Sequence, residues 1–159
     1  MAAKTVLFVD DEEIVVGVGK QMLEKLGFSV LTAKNGVEAL DVYKNNQNDI
    51  DIIILDMIMP DMGAADTYVE LQSINPVIKV LLSSGYGTDH QTRELLSLGC
   101  SGFIQKPFNL SKLSQNVRTI LDEAKASYRL LTQTPEGELC SSNGPGIPEF
   151  YVAPRKRIR

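Results

Sequence analysis

The chain has 159 residues, of which 43% are hydrophobic, so it is long enough to bury one core, and we expect one domain followed by a tail. The formal net charge is -4, and removing the four cations of residues 155–159 leaves -8 on residues 1–154. An acidic body excludes a nucleic-acid footprint spread over the whole surface. Two cysteines do not make a disulfide framework, and no signal peptide or long apolar run is recognised, which predicts a cytoplasmic protein.

Short apolar runs alternate with segments of helical periodicity along the first 125 residues. This alternation is typical of βα units that build a parallel sheet with helices on both faces. Three of the runs are continuously hydrophobic, as expected for strands covered on both sides. The predicted fold class is therefore α/β, a doubly wound five-stranded parallel sheet with strands at residues 6–9, 29–32, 52–55, 77–82 and 102–104.

Five helices are predicted to alternate with the strands. Gly27 is the predicted C-cap of the first helix, and Asn35 and Asn109 are the predicted N-caps of the second and fifth. The third ends before Pro76, and the fourth ends at Gly99. The apolar residues that share one face of the first helix are Ile14, Val15, Val18, Met22, Leu23 and Leu26.

Helical periodicity stops near residue 130, and residues 132–146 are rich in Thr, Ser, Pro and Gly. Such a composition is typical of linkers and disordered segments. We therefore predict a domain at residues 1–126 and a flexible C-terminal tail at residues 127–159, which is basic at its end.

Acidic residues follow two predicted strands at the edge where ligands of such sheets bind. Asp10 and Asp11 follow the first strand, and Asp56 follows the third. Three close carboxylates repel one another unless a cation neutralises them, and oxygen ligands suit Mg2+. The alternative is that these residues only cap the following helices. Their convergence favours a Mg2+ site.

A hydroxyl and an ammonium complete the predicted site. Ser84 ends the fourth strand and Lys106 follows the fifth, so both side chains can reach the edge that carries Asp56. The ammonium can pair with an anion carried by Asp56, and the hydroxyl can donate to it. Taken singly, Ser84 is more often a turn residue and Lys106 a solvated surface charge.

These residues lie in four motifs, VLFVDDE, ILDMIMPDMG, LLSSGY and FIQKPF. With them, roughly residues 4–125 resemble the receiver domain of two-component response regulators. The resemblance implies a flavodoxin-like fold with strand order 2-1-3-4-5. It also implies that a histidine kinase or histidine phosphotransfer protein phosphorylates Asp56. The chain would then be no enzyme beyond its own aspartyl phosphorylation and dephosphorylation.

The resemblance also assigns the Mg2+ ligands. Asp11 would bind the ion directly, Asp10 would help through water or as a second carboxylate, and Ile58 would supply a backbone carbonyl. Asp56 would complete the metal site.

The resemblance further assigns the groups that respond to phosphorylation. Ser84 and Lys106 would hold the phosphoryl oxygens, and Phe103 would swing inward behind Ser84. Phe103 stands where many members have Tyr, so a phenol hydrogen bond is excluded from the switch. Ile58 and Tyr86 stand where many members have polar groups that guide water, which predicts a long-lived phosphoryl group on Asp56.

About 30 residues follow the fifth predicted helix, too few for a second folded output domain. We therefore expect output by protein contact through the fourth helix, fifth strand and fifth helix, with a phosphorylation-dependent homodimer left open. A stand-alone regulator and a receiver from a hybrid kinase are equally compatible with the sequence. Two alternatives are a phosphorylation-independent scaffold and a regulator whose basic tail contacts nucleic acid.

Overall fold

The computed structural model describes residues 3–133, and the side chains of residues 3–123. Strands and helices alternate along the whole of this part of the chain. The strands are β1 (Thr5–Val9), β2 (Ser29–Ala33), β3 (Ile50–Asp56), β4 (Val80–Ser84) and β5 (Gly102–Gln105). The helices are α1 (Glu13–Lys25), α2 (Gly36–Asn46), α3 (Ala64–Ile74), α4 (His90–Ser97) and α5 (Leu110–Gln133).

The five strands form one parallel sheet in the order β2-β1-β3-β4-β5, which confirms the predicted fold class and strand order. Val9 at the end of β1 pairs with Leu55, and Asp56 at the end of β3 pairs with Ser83. Parallel strands end at the same edge of a sheet. Asp10 and Asp11, which follow β1, therefore lie at the same edge as Asp56, which ends β3.

Helices cover both faces of the sheet. The middle strands are therefore buried on both faces, which agrees with their continuously apolar sequences. One core cluster lies on the α2, α3 and α4 side and contains Tyr43, Tyr68 and Leu95. The other lies on the α1 and α5 side and contains Leu23 and Val117. Alternating residues of β1, β3 and β4 enter the two clusters in turn, as the period of a strand requires.

The predicted helix caps are present. Asn35 Oδ1 accepts a hydrogen bond from the Glu38 amide at 2.8 Å, and Asn109 Oδ1 accepts one from the Lys112 amide at 2.8 Å. At the end of α1, Gly27 has a φ of 95°, a conformation that suits glycine. Three helix ends are therefore determined by residues that the sequence already marks.

The fourth strand begins later than predicted, at Val80 instead of residue 77. The reason is a turn before the strand, in which the amides of Val77 and Ile78 donate to the side chain and the carbonyl of Asn75. At the other end the strand continues to Ser84, two residues past the predicted limit.

The apolar face of α1 is only partly buried. Leu23 is fully buried, whereas Ile14 is 82% exposed and Val18 47% exposed. Gly19 is buried and packs closely on the sheet, since an added Cβ would lie 2.6 Å from the ring of Phe8. Contact through this glycine directs the helix so that Ile14 and Val18 face outward.

Helix α5 continues to Gln133, seven residues past the predicted domain boundary at residue 126. The rest of the predicted tail, including its basic end, lies outside the described residues. Within the described part of the chain, no helix combines the length and apolar character that a membrane span requires.

Candidate functional site

Three carboxylates meet at the carboxyl edge of the sheet. Asp10 and Asp11 follow β1, Asp56 is the last residue of β3, and these two strands are neighbours. One carboxylate oxygen from each residue lies within 4.8 Å of the others. Asp10 and Asp56 are buried, while Asp11 is exposed at the mouth of the pocket. The predicted convergence of the three acids is therefore present in the structure.

Lys106 reaches this cluster from the end of the edge strand β5, which is separated from β3 by β4. Its Nζ atom lies 2.8 Å from Oδ2 of Asp10 and 3.1 Å from Oδ1 of Asp56. The Lys106 amide donates to the Ser84 carbonyl at 2.7 Å, and a cis peptide bond joins the lysine to Pro107. The ammonium bridges the carboxylates of Asp10, which follows β1, and Asp56, which ends β3.

Both carboxylate oxygens of Asp10 are engaged. Oδ1 accepts the Glu12 amide at 2.9 Å, and Oδ2 accepts the Lys106 ammonium at 2.8 Å. Asp10 is only 1% exposed, so bulk water has little access to it. Its carboxylate is thus less available for direct ligation than that of Asp11, and the supporting role of Asp10 at the metal stays a prediction.

The carboxylate of Asp56 is buried beside a second carboxylate and one ammonium. Burial raises its pKa to about 6, the neighbouring Asp10 adds to the increase, and Lys106 opposes both effects. Oδ1 faces Lys106 and accepts a long hydrogen bond from the Ile58 amide at 3.4 Å. Among residues 3–123, no hydrogen bond to Oδ2 is present, so both contacts of this carboxylate fall on Oδ1.

Lys106 remains charged in this setting. Burial lowers its pKa, but the hydrogen bond to Asp10 and the charges of Asp56 and Asp10 outweigh burial and raise the pKa above its ordinary value. One ammonium nevertheless faces three carboxylates. The site retains an excess of negative charge that a divalent cation would neutralise.

Ser84 and Phe103 lie on the same face of the sheet. Ser84 is the buried last residue of β4, and its Oγ accepts the amide of Tyr86 at 3.1 Å. Phe103 pairs with Leu82, which is two residues before Ser84, and packs partly buried against the core cluster on the α2–α4 side. The aromatic ring and the hydroxyl are thus placed on the side of the sheet that α4 covers.

Two exposed side chains follow the site residues Asp56 and Ser84 in the chain. Ile58, two residues after Asp56, is 61% exposed, and Tyr86, two residues after Ser84, is 67% exposed. Their predicted effect on the attack of water at Asp56 stays a prediction. The sequence also predicts that Ile58 supplies a carbonyl ligand, and this assignment stays a prediction.

Glu12 is one contact that the sequence analysis did not assign. Its Oε1 atom lies 3.9 Å from the Lys106 ammonium, and its side chain is mostly exposed. The signal was present in the acidic run at residues 10–13, but only the fold shows which member of that run approaches the lysine.

The donor set fits a hard divalent cation. Carboxylate oxygens from Asp10, Asp11 and Asp56 are the ligand type that Mg2+ takes, and they converge without a sulfur or imidazole ligand among them. Burial and the neighbouring Asp10 raise the pKa of Asp56 more than Lys106 lowers it. A cation beside Asp11 would supply the missing charge.

Comparison with known proteins agrees with this geometry. The family model of the response regulator receiver domain matches residues 6–118. The chain is 36% identical over 119 residues to the sensor kinase CckA of Brucella abortus (strain 2308), which covers 75% of this chain and 13% of CckA. It is 30% identical over 151 residues to the response regulator SaeR of Staphylococcus aureus (strain USA300), which covers 89% of this chain and 65% of SaeR.

Among solved structures, the chain is similar to one in the CheX-CheY-BeF3-Mg2+ complex from Borrelia burgdorferi, with a TM-score of 0.71 and 31% identity. That match covers 74% of this chain and 88% of the other. The chain spans less than two thirds of the length of the curated relatives it matches, 13% of CckA and 65% of SaeR.

Proposed function

This chain belongs to the family of response regulator receiver domains, which are signalling switches, and from that membership we propose that it is activated by phosphorylation of Asp56. The observation that carries the proposal is the contact of 3.1 Å between Asp56 Oδ1 and the Lys106 ammonium at the edge where Asp10 and Asp11 also lie. The phosphodonor is a histidine kinase or a histidine phosphotransfer protein.

The reaction is transfer of one phosphoryl group from a histidine nitrogen to a carboxylate. Asp56 Oδ2 attacks phosphorus in line, a new O–P bond forms, the N–P bond breaks, and the leaving imidazole keeps the electron pair and takes a proton. Lys106 pairs with the phosphoryl oxygens, and Ser84 donates its hydroxyl to them. Positioning and charge neutralisation supply most of the rate in such transfers.

Mg2+ is the proposed cofactor. Asp11 would bind it directly, Asp10 would assist, and Asp56 and the carbonyl of Ile58 would complete the protein ligands. When bound, the ion offsets the negative charge shared by the carboxylates and the phosphoryl oxygens. The presence of Mg2+ and BeF3 in the complex that contains the similar chain supports this assignment.

The signal leaves through protein contact on the face formed by α4, β5 and α5. After phosphorylation, the hydrogen bond from the Tyr86 amide to Ser84 Oγ breaks, and the Ser84 hydroxyl donates to a phosphoryl oxygen instead. Phe103 then moves inward on the same face of the sheet. A homodimer formed on phosphorylation would use this face. Amide hydrogen exchange with and without phosphorylation tests the proposal, since the changes should concentrate in α4 and β5.

Mass spectrometry after incubation with Mg2+ and phosphoramidate tests the phosphoacceptor. Wild type should gain the mass of one phosphoryl group, and Asp56→Asn should gain none. Asp66→Asn is the matched control, because Asp66 lies exposed in the first turn of α3 and outside the pocket. A wild type that gains no mass would leave the phosphorylation-independent scaffold as the function.

A further inference from the structure

An apolar groove lies beside the phosphoacceptor pocket, between α1 and the loop after β5. Ile14, Val15 and Val18 form one wall, and Pro107 and Phe108 form the other. Lys106 lies at its end, so the groove opens into the acidic site. Its volume is about 490 Å³, which is within the size range of cavities that bind organic ligands or apolar side chains.

The groove presents apolar surface that the described residues leave uncovered. Ile14 and Val18 are exposed, whereas Val15 and Phe108 pack against the core cluster on the α1 and α5 side. The groove is therefore an outward extension of the core. Contiguous exposed apolar surface of this kind usually marks a binding site.

The border of the groove is acidic at the beginning of α1. Asp11, Glu12 and Glu13 are consecutive and exposed, directly before Ile14. The Lys106 ammonium is already paired with Asp10 and Asp56. An occupant that complements this surface therefore carries a short apolar segment next to several cations.

The C-terminal tail contains such a segment. Phe150, Tyr151 and Val152 stand between Pro148 and Pro154, and four cations follow within residues 155–159. Two aromatic side chains bury about 150–250 Å² each when covered, which makes them effective anchors.

The tail is long enough to reach the groove. Helix α5 begins next to Phe108 and has 24 residues, so its end lies about 36 Å from the groove at 1.5 Å per residue. Residues 134–149 connect that end to Phe150, and 16 residues extend to about 53 Å. The connection is therefore sufficient with length to spare.

We propose that the tail docks on its own receiver domain, with Phe150, Tyr151 and Val152 in the groove and the cations of residues 155–159 beside Asp11, Glu12 and Glu13.

Paramagnetic broadening in the full-length chain tests the docking without any phosphoryl group. A nitroxide is attached at Ala153→Cys in a Cys140→Ser background. Burial raises the pKa of the Cys100 thiol to about 12, so that cysteine does not compete for the label at neutral pH. The amide signals of Ile14, Val18 and Phe108 should lose most of their intensity. The amide signal of Val37 on α2 should keep its full intensity.

Two variants make the test specific. Val18→Glu should abolish the broadening, and the matched exposed variant Val37→Glu should not. Phe150→Asp with Tyr151→Asp should abolish it from the tail side. High salt should weaken it, because the Debye length falls from about 10 Å at 0.1 M to about 3 Å at 1 M.

Two results would overturn the proposal. One is that the amides of Ile14, Val18 and Phe108 keep their intensity. The groove would then be a site for a protein partner, and the basic tail would bind other ligands such as nucleic acid. The other is full broadening of isotopically labelled chains without nitroxide when they are mixed with unlabelled chains that carry it, which places the tail in trans. Because the measurement needs no phosphodonor, it succeeds or fails independently of Asp56 phosphorylation.

Discussion

The ammonium of Lys106 lies 3.1 Å from Oδ1 of Asp56, although the two residues come from strands separated by β4. The same ammonium lies 2.8 Å from Asp10, so one cation holds together two buried carboxylates. This ion pairing contributes to the stability of the carboxyl edge of the sheet. It also places a positive charge beside Asp56, where the proposed phosphoryl group would be attached. Four predictions follow from this edge and from the helix packed beside it.

Lys106→Met should lower the free energy of unfolding by about 3 kcal/mol in metal-free buffer, because it leaves two buried carboxylates without their cation. Urea denaturation measures the change. Lys112→Met is the control, since Lys112 is exposed and no salt bridge to its side chain occurs among residues 3–123; its effect should stay within about 0.5 kcal/mol. Equal losses in the two variants would contradict the bridging role.

Asp56→Asn should raise the metal-free stability at high pH. Burial raises the pKa of Asp56 in the folded state to about 6 from an ordinary 3.8, so the folded state holds its proton more tightly than the unfolded state. The stability associated with this group is complete below pH 3.8 and is lost as the pH rises through about 6.

The asparagine variant should therefore be more stable than wild type by about 1–3 kcal/mol near pH 8, and the difference should shrink toward pH 4. Urea denaturation at several pH values in the presence of a chelator measures it. The exposed Asp66→Asn should show no such pH dependence. A stability difference that grows toward low pH would have the wrong sign.

Two glycines of α1 should respond oppositely to alanine. At Gly19 the added Cβ would lie 2.6 Å from the Phe8 ring, so Gly19→Ala should destabilise the domain by about 1–2 kcal/mol. At Gly17 nothing lies within 4 Å, so Gly17→Ala should stabilise it by about 0.5–1 kcal/mol through helix propensity. Thermal unfolding of the pair measures this, and a neutral Gly19→Ala would refute the close packing.

Ile58→Asn should shorten the lifetime of the phosphoryl group on Asp56. The amide can hydrogen bond and orient the attacking water, which isoleucine cannot, and a bond worth about 1 kcal/mol corresponds to about fivefold faster hydrolysis. Loss of label from the phosphorylated protein measures the rate. Val69→Asn, an exposed position on α3, should leave the rate unchanged. An unchanged rate in Ile58→Asn would remove the proposed reason for slow hydrolysis.

Local patterns were sufficient for the order of the elements and for several of their ends. Asn35, Asn109 and Gly27 define helix ends through contacts with residues only a few positions away, so a sequence carries that information directly. The continuously apolar strands likewise required helices on both faces. From those strands follow the parallel sheet and the edge at which Asp10 and Asp56 meet.

Only the tertiary structure decided how α1 lies on the sheet. Ile14, Val18 and Leu23 are equivalent in an apolar pattern, yet Leu23 is buried and the other two are exposed. The contact between Gly19 and Phe8 selects the buried face, and that contact depends on two elements that the pattern treats separately. The exposed pair then forms one wall of the groove beside the site.

The sequence predicted that the acidic residues and Lys106 lie at one edge of the sheet. It did not predict which of their atoms are in contact. Which oxygen faces Lys106, that Asp10 has both oxygens engaged, and that Glu12 approaches the ammonium depend on side-chain directions across four strands. Burial of Asp56, which raises its pKa, is likewise a sum over the whole core. Composition and spacing determine which groups are present, while long-range packing determines what each of them contacts.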